Sequence, residues 1–212
     1  MAWNDVKSSG GDQDRKDIEY FPKGEGTYQG RFLDGEPFSR WTHWIPAAND
    51  GKGASVTCIG KDNCPICKLV ASQKAKKQDP TYTSRKMHAM NFLMRGKTHD
   101  EDKIVVYDKG NVPFGLLAGL NEDVGDLTTY DVKIRVTGKD KNQTHMPIPQ
   151  QPSKLTDAEK ALEKYNFAEM YKELTPDQIL TLMAGGSYKE IFKKDDVVAT
   201  TEEDQPVVDF SK

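Results

Sequence analysis

A mainly β fold, a small five-stranded barrel followed by helices and an acidic tail, is what this 212-residue sequence predicts. Three observations point there. Between residues 27 and 148, five or six short runs alternate apolar and polar positions, as half-buried strands do. Pro147, Pro149 and Pro152 then end the β-rich part, because proline removes a ladder donor. Beyond them, capping residues and helical spacing take over.

Taken in order, residues 1–22 are polar, carry Ser8-Ser9-Gly10-Gly11, and read as a flexible arm. The core is expected over 23–152. Thr27–Leu33 opens it, with Tyr28, Gly30 and Phe32 on one face. Trp41–Pro46 is extended, and Ala47–Ser55 is a turn-rich loop. Lys68–Lys77 forms a brief helix with a basic end. Arg85–Met94 is a central strand, since both of its faces are apolar. Lys103–Tyr107 pairs with it across the polar Thr98–Asp102 loop. Val112–Leu120 is a short helix under the barrel. Tyr130–Val136 turns Tyr130, Val132, Ile134 and Val136 inward and Asp131, Lys133 and Arg135 outward; Gln143–Ile148 completes a hairpin. A helical extension spans 153–194. Thr156-x-x-Glu159 starts a helix continued by Ala158, Ala161, Leu162, Tyr165 and Ala168. Thr175-Pro176 starts a second, which Gly185-Gly186 stops. Residues 195–212 are acidic, lack a period and read as disordered. Among small barrels, an OB-fold suits this order of five short strands, whose face and loops bind single strands.

Composition excludes some classes. No run reaches the roughly 18–20 apolar residues of a membrane helix, and the N-terminus has no apolar signal core. A soluble, intracellular protein is expected, with no membrane partner. The net charge of −3 hides an asymmetry. Arg40–Lys97 holds eleven basic and three acidic residues, whereas Ser153–Lys212 holds eight basic and thirteen acidic ones. A basic middle suits a polyanion; an acidic end suits recruitment of basic partners, or occupation of the basic region until a strand displaces it. Removing the chain after Lys194 is therefore expected to raise affinity for DNA at low salt.

All three cysteines fall within ten residues, as Cys58, Cys64 and Cys67, the last two in Cys-Pro-Ile-Cys. Zinc takes thiolates and imidazole in closed tetrahedral sites, and three cysteines need one histidine to complete four ligands. His43 is the first choice, because the loop after it can fold the chain back; His88 is the second. The zinc subdomain would lie around 41–77. A redox dithiol is the competing reading, but the pair lacks the flanking strand and long helix of such enzymes. Four protein ligands leave no open position, so one structural Zn2+ is expected rather than a catalytic one. No phosphate loop, H-E-x-x-H or G-x-S-x-G is present, and the chain is not expected to be an enzyme.

Aromatic residues interleave with basic ones, the pattern that holds single strands by stacking and by cations along the phosphates. The candidates for DNA contact are Arg31, Arg40, Trp41, Trp44, Arg85, Lys86, Phe92, Arg95, Tyr130 and Arg135. Core burial competes with binding for Phe92 and Tyr130, whose faces are apolar.

Arg31-Phe32-Leu33, His43-Trp44-Ile45-Pro46 and Cys58…Cys64-Pro65-Ile66-Cys67 together resemble the zinc-containing single-stranded DNA-binding proteins of tailed bacteriophages, best known from the T-even phages. The resemblance covers about residues 20–150. It implies an OB-fold core with a zinc subdomain beside the DNA cleft, and His43, Cys58, Cys64 and Cys67 as the ligands. It further implies binding without strong sequence preference in replication, recombination and repair, in the cytoplasm of an infected bacterial host, with replication or recombination proteins met through the acidic tail. The chain departs from the T-even pattern in its tighter Cys58–Cys64 spacing and in lacking a strongly basic N-terminal motif. A zinc-bearing adaptor or transcription accessory protein that binds a polymerase instead of DNA is the alternative.

Overall fold

The structure, a computed structural model, describes residues 18–139 and 142–195. Its centre is an antiparallel sheet of seven strands: β1 Gly26–Phe32, β2 Phe38–Ile45, β3 Ala54–Thr57, β4 Ser84–Met94, β5 Lys103–Gly110, β6 Tyr130–Thr137 and β7 Thr144–Pro152. Six helices accompany it: α1 Pro65–Ala75, α2 Asn111–Val124, α3 Asp157–Lys160, α4 Phe167–Met170, α5 Pro176–Met183 and α6 Tyr188–Asp195.

The longest strand, β4, organises the molecule. One edge pairs with β5 from Met87 to Met94. The other pairs first with β2, Phe38 opposite Ala89 through His43 opposite Ser84, and then with β1, Phe32 opposite Phe92. Its two-sided apolarity has the expected cause. Met90 and Phe92 face a core shared with Phe21, Phe32, Tyr107, Phe114 and Tyr130. Ala89, on the opposite face, packs with Val106 and Phe167. A further core joins Ile45, Val56, Cys64 and Ile66 to Leu174, Ile179, Leu182 and Ile191. The region around 41–77 and the last two helices therefore share one apolar interior. At roughly 1.5–3 kcal/mol for each large apolar side chain buried, that interior is a main source of order for a lobe with so little sheet.

Several expectations change. The barrel is not closed: β7 pairs with β6, and among the described residues no ladder joins β7 to β5. The edge of β5 meets the N-terminal segment instead. Tyr20 bridges Val106 in parallel, Phe21 N–H donates to the Val106 carbonyl (2.9 Å), and Val106 N–H donates to that of Glu19 (2.8 Å). Phe21 is 3% exposed, edge-on to Tyr28, Phe92 and Tyr107. Residues 19–21 are thus fixed on the edge of β5, with Phe21 in the core, rather than part of an arm; 1–17 and the tail from 196 lie outside the described residues. The prolines do not stop β7, which runs to Pro152, because an edge strand needs ladder bonds on one side only. The turn-rich segment yields β3 near its end.

The helix expected from Thr156 lasts one turn, although its capping box forms. Asn91 explains the break. Its side chain accepts from Tyr165 N–H (2.8 Å) and donates to the Tyr165 carbonyl (3.2 Å), satisfying backbone groups that a continuous helix would have paired. The box at Thr175 forms as well, with Pro176 in the first turn of α5. No helix among the described residues is long and apolar enough to cross a membrane.

Candidate metal centre and groove

Four of the sequence candidates converge. His43 is the sixth residue of β2, Cys58 follows β3 directly, and Cys64 caps α1, placing Cys67 in its first turn. β2 and β3 are paired, so His43 and Cys58 are carried on neighbouring strands, while Pro65 starts the helix and fixes the Cys-x-x-Cys turn. The donor atoms of His43, Cys58, Cys64 and Cys67 all lie within 4.8 Å of one another. Cys58 and Cys67 sulfurs are 3.5 Å apart, and His43 Nε2 is 3.4 Å from Cys67 Sγ. A tetrahedron with zinc–sulfur bonds of ~2.3 Å has sulfur–sulfur edges of roughly 3.8 Å, so this group can hold one such ion. His43 and Cys64 are buried, Cys58 and Cys67 half-buried. His88 is elsewhere: its Nε2 donates to Asn111 Oδ1 (2.8 Å) and its Nδ1 is hydrogen-bonded to Ser39 Oγ (2.7 Å).

The electrostatics speak against a reactive dithiol. Burial pushes the Cys67 thiol up to about 12, with Cys58 and Cys64 adding to the effect, and burial also raises Cys58. A redox pair needs a thiolate stabilised at neutral pH, which is the opposite shift. Burial lowers the His43 pKa, against the Thr83 backbone, so the imidazole is neutral and able to ligate at pH 7. A metal ion held by these four residues would cross-link β2, β3 and α1.

The ten residues proposed for DNA contact separate into groups. Phe92 and Tyr130 are core, 0% and 1% exposed; the Tyr130 hydroxyl donates to the Gly125 carbonyl. Arg31 and Arg95 are held in an ion-pair network. Arg31 is 1% exposed and pairs with Asp131 at 2.7 Å, and it donates to the Ser153 carbonyl. Arg95 pairs with Asp131, Asp102 and Glu159. Asp131, expected to face solvent, is buried by these partners. Burial alone would raise its pKa, but the bonds from Arg95 and Arg31 hold it below the usual carboxylate range. Arg40 pairs with Asp108 at 2.6 Å and lies 3.4 Å over the Tyr171 ring, so its charge is spent inside. These five side chains are structural, because a cation already paired and desolvated has little left for a phosphate. Trp44 lies over Gly53, whose φ of +81° and contact with the indole leave no room for a Cβ. Arg135 is exposed on the outer face of β6, opposite Met146.

Trp41, Arg85 and Lys86 come together. They line an open groove of about 580 Å3 with Lys109, Asn111, Gln143 and His145. Trp41 on β2 stands directly opposite Lys86 on β4, which puts both side chains on one face. Lys109 on β5 opposes His88, two residues along from Lys86, and so shares that face. Trp41 is 53% exposed. Burial lowers the Lys109 pKa, Asp108 counters this and Lys23 adds to it, so the ammonium gains from an anion. Comparison with protein families, with curated proteins and with solved structures finds no match. Lys109 and His145 were missed in the sequence. Extending the 103–107 strand by two residues carries Lys109 onto the face of Tyr107, and that alternation was the available signal.

Proposed function

We propose that this chain is a single-stranded DNA-binding protein with one structural zinc, acting without enzymatic activity in phage DNA replication, recombination and repair within the host cytoplasm. The observation that carries the reading is the groove: an exposed Trp41 beside Lys86 on a shared sheet face, with Lys109 and Arg85 around it. An exposed indole offers a stacking surface worth about 1–3 kcal/mol per base, independent of sequence, and the cations offer a phosphate track. The Cys3His group supports the zinc part of the reading.

The strand order β5-β4-β1-β6-β7, with α2 between β5 and β6, supports an OB-fold opened at one seam. In this reading β2, β3 and α1 are a zinc-bearing insertion between the first two barrel strands. The acidic tail would compete for the same cations or recruit replication and recombination proteins.

Quenching of Trp41 fluorescence by oligo-dT across a salt series tests the proposal. About three phosphate contacts, from Arg85, Lys86 and Lys109, give a log–log salt slope of roughly −2 for a single strand. No quenching, or a flat salt response, overturns it. Leu180 and Phe192, exposed on α5 and α6, favour the adaptor reading, in which a polymerase docks on the helical end. Capture of polymerase by a chain that ignores oligonucleotides would support that alternative.

A further inference from the structure

The groove contains one polar group that phosphate binding and stacking leave unused. His145, on β7, lines it and is 3% exposed, with its ring against Phe21 (5.9 Å) and Tyr107 (5.7 Å). Its tautomer follows from its neighbours. The Gln143 side-chain amide nitrogen donates to the Lys23 carbonyl, which turns Gln143 Oε1 toward His145 Nε2 at 3.1 Å. An oxygen there requires Nε2 to carry the proton. Nδ1 is then a bare acceptor, buried and without a partner among the described residues. Burial, aided by Lys109, lowers the His145 pKa to about 4, so the ring is neutral at pH 7.

A buried acceptor beside an exposed indole and two ammonium groups calls for a ligand that combines a stacking ring, an N–H donor and an anion. A nucleotide meets all three requirements. We infer that His145 Nδ1 accepts a hydrogen bond from the Watson–Crick edge of a base stacked at Trp41, making it the group that distinguishes an unpaired nucleotide from a paired one. Each of the four bases carries at least one N–H on that edge, so the contact is sequence-tolerant. In a duplex the edge is taken by the complementary base. The inference rests on the proposed nucleic-acid function and gives that groove its selectivity for strand state.

The test removes the donor from the ligand. Oligo-dC is compared with an oligomer of the same length and charge built on 2-pyrimidinone, which lacks the exocyclic amine and adds no bulk. The native protein binds oligo-dC about threefold to tenfold more tightly, the worth of one net hydrogen bond. In His145→Phe, which keeps an aromatic ring against Phe21 and Tyr107, that ratio falls to about one. Equal affinities in the native protein, or a ratio that survives in the folded variant, overturn the inference while the nucleic-acid reading stands. Binding of neither oligomer sinks both. Should the variant fail to fold, the 15N resonance of His145 Nδ1 in the native protein decides: it shifts with oligo-dC and not with the 2-pyrimidinone oligomer, and a resonance unmoved by oligo-dC overturns the assignment.

Discussion

Lys86, near the start of β4, and Arg95, just past its end, lie nine residues apart and illustrate how basic side chains divide between architecture and the proposed binding. Arg95 touches Asp131, Asp102 and Glu159, three carboxylates from separate parts of the chain. Replacing it by methionine leaves Asp102 and Glu159 buried without that cation and Asp131 with Arg31 alone. Arg95→Met should cost about 3–5 kcal/mol in urea unfolding, the range for breaking a buried pair. Lys86→Ala should leave the free energy of urea unfolding within about 0.5 kcal/mol of native, as exposed substitutions do. It should also flatten the salt slope of oligonucleotide binding by about 0.7. The same carboxylates set the response to acid. For Asp102, Asp131 and Glu159, burial raises the pKa, but Arg95 and nearby N–H donors more than reverse it, leaving all three below their ordinary values. In the window between folded and unfolded pKa the unfolded chain binds more protons, so stability rises with pH there. Their contribution is complete above about pH 5 and is lost progressively as pH falls through about 4 and below. The urea midpoint between pH 6 and pH 3 checks this.

At the scale of elements, α1 depends on its first turn. Cys64 caps it without a side-chain hydrogen bond, it has no acidic residue in its first turn, and Ile66 is its one buried residue. A helix so weakly held by capping and packing leans on ligands at its start. Metal analysis should find about one zinc per chain, and Cys67→Ser should abolish it and reduce helicity by circular dichroism. Because Cys58 and Cys67 are raised by burial, both are protonated at pH 7, and zinc must displace those protons. Calorimetry in buffers of different ionisation enthalpy should show release of at least about two protons, with affinity falling as pH falls. Much of this level was readable beforehand. Alternation located β1, β4, β5 and β6, and the Cys-x-x-Cys spacing with His43 located the metal group, because both are local patterns. What was not readable is tertiary. The Asn91 grip on Tyr165 splits a helix that spacing alone supports. Asp131 lies 100 residues from Arg31 and 36 from Arg95, and Glu159 lies 64 from Arg95, so both charges looked available when they were spoken for.

The whole molecule is two lobes on one strand. β4 carries the Phe92 core at its C-terminal end and the β2–β3 ladder at its N-terminal end, and the groove lies where β2, β4 and β5 meet. The proposed binding at Trp41 and Lys86 would engage the strand that both lobes share. Chelation of zinc should lower the melting temperature and weaken oligonucleotide affinity together, since loss of order in the His43 end of β2 reaches Trp41 two residues away. Calorimetry and quenching on one chelator series measure both. Phe21 has a consequence for how the chain is made. Its segment leaves the ribosome ahead of its backbone partner Val106, which follows 85 residues later. At about 5–20 residues per second that is a wait of roughly 4–17 s, with a core aromatic in water. The segment that seals the sheet edge must wait for β5 before it can dock, so a fusion placed close before Ile18 competes with that docking step before it ever meets a nucleic acid.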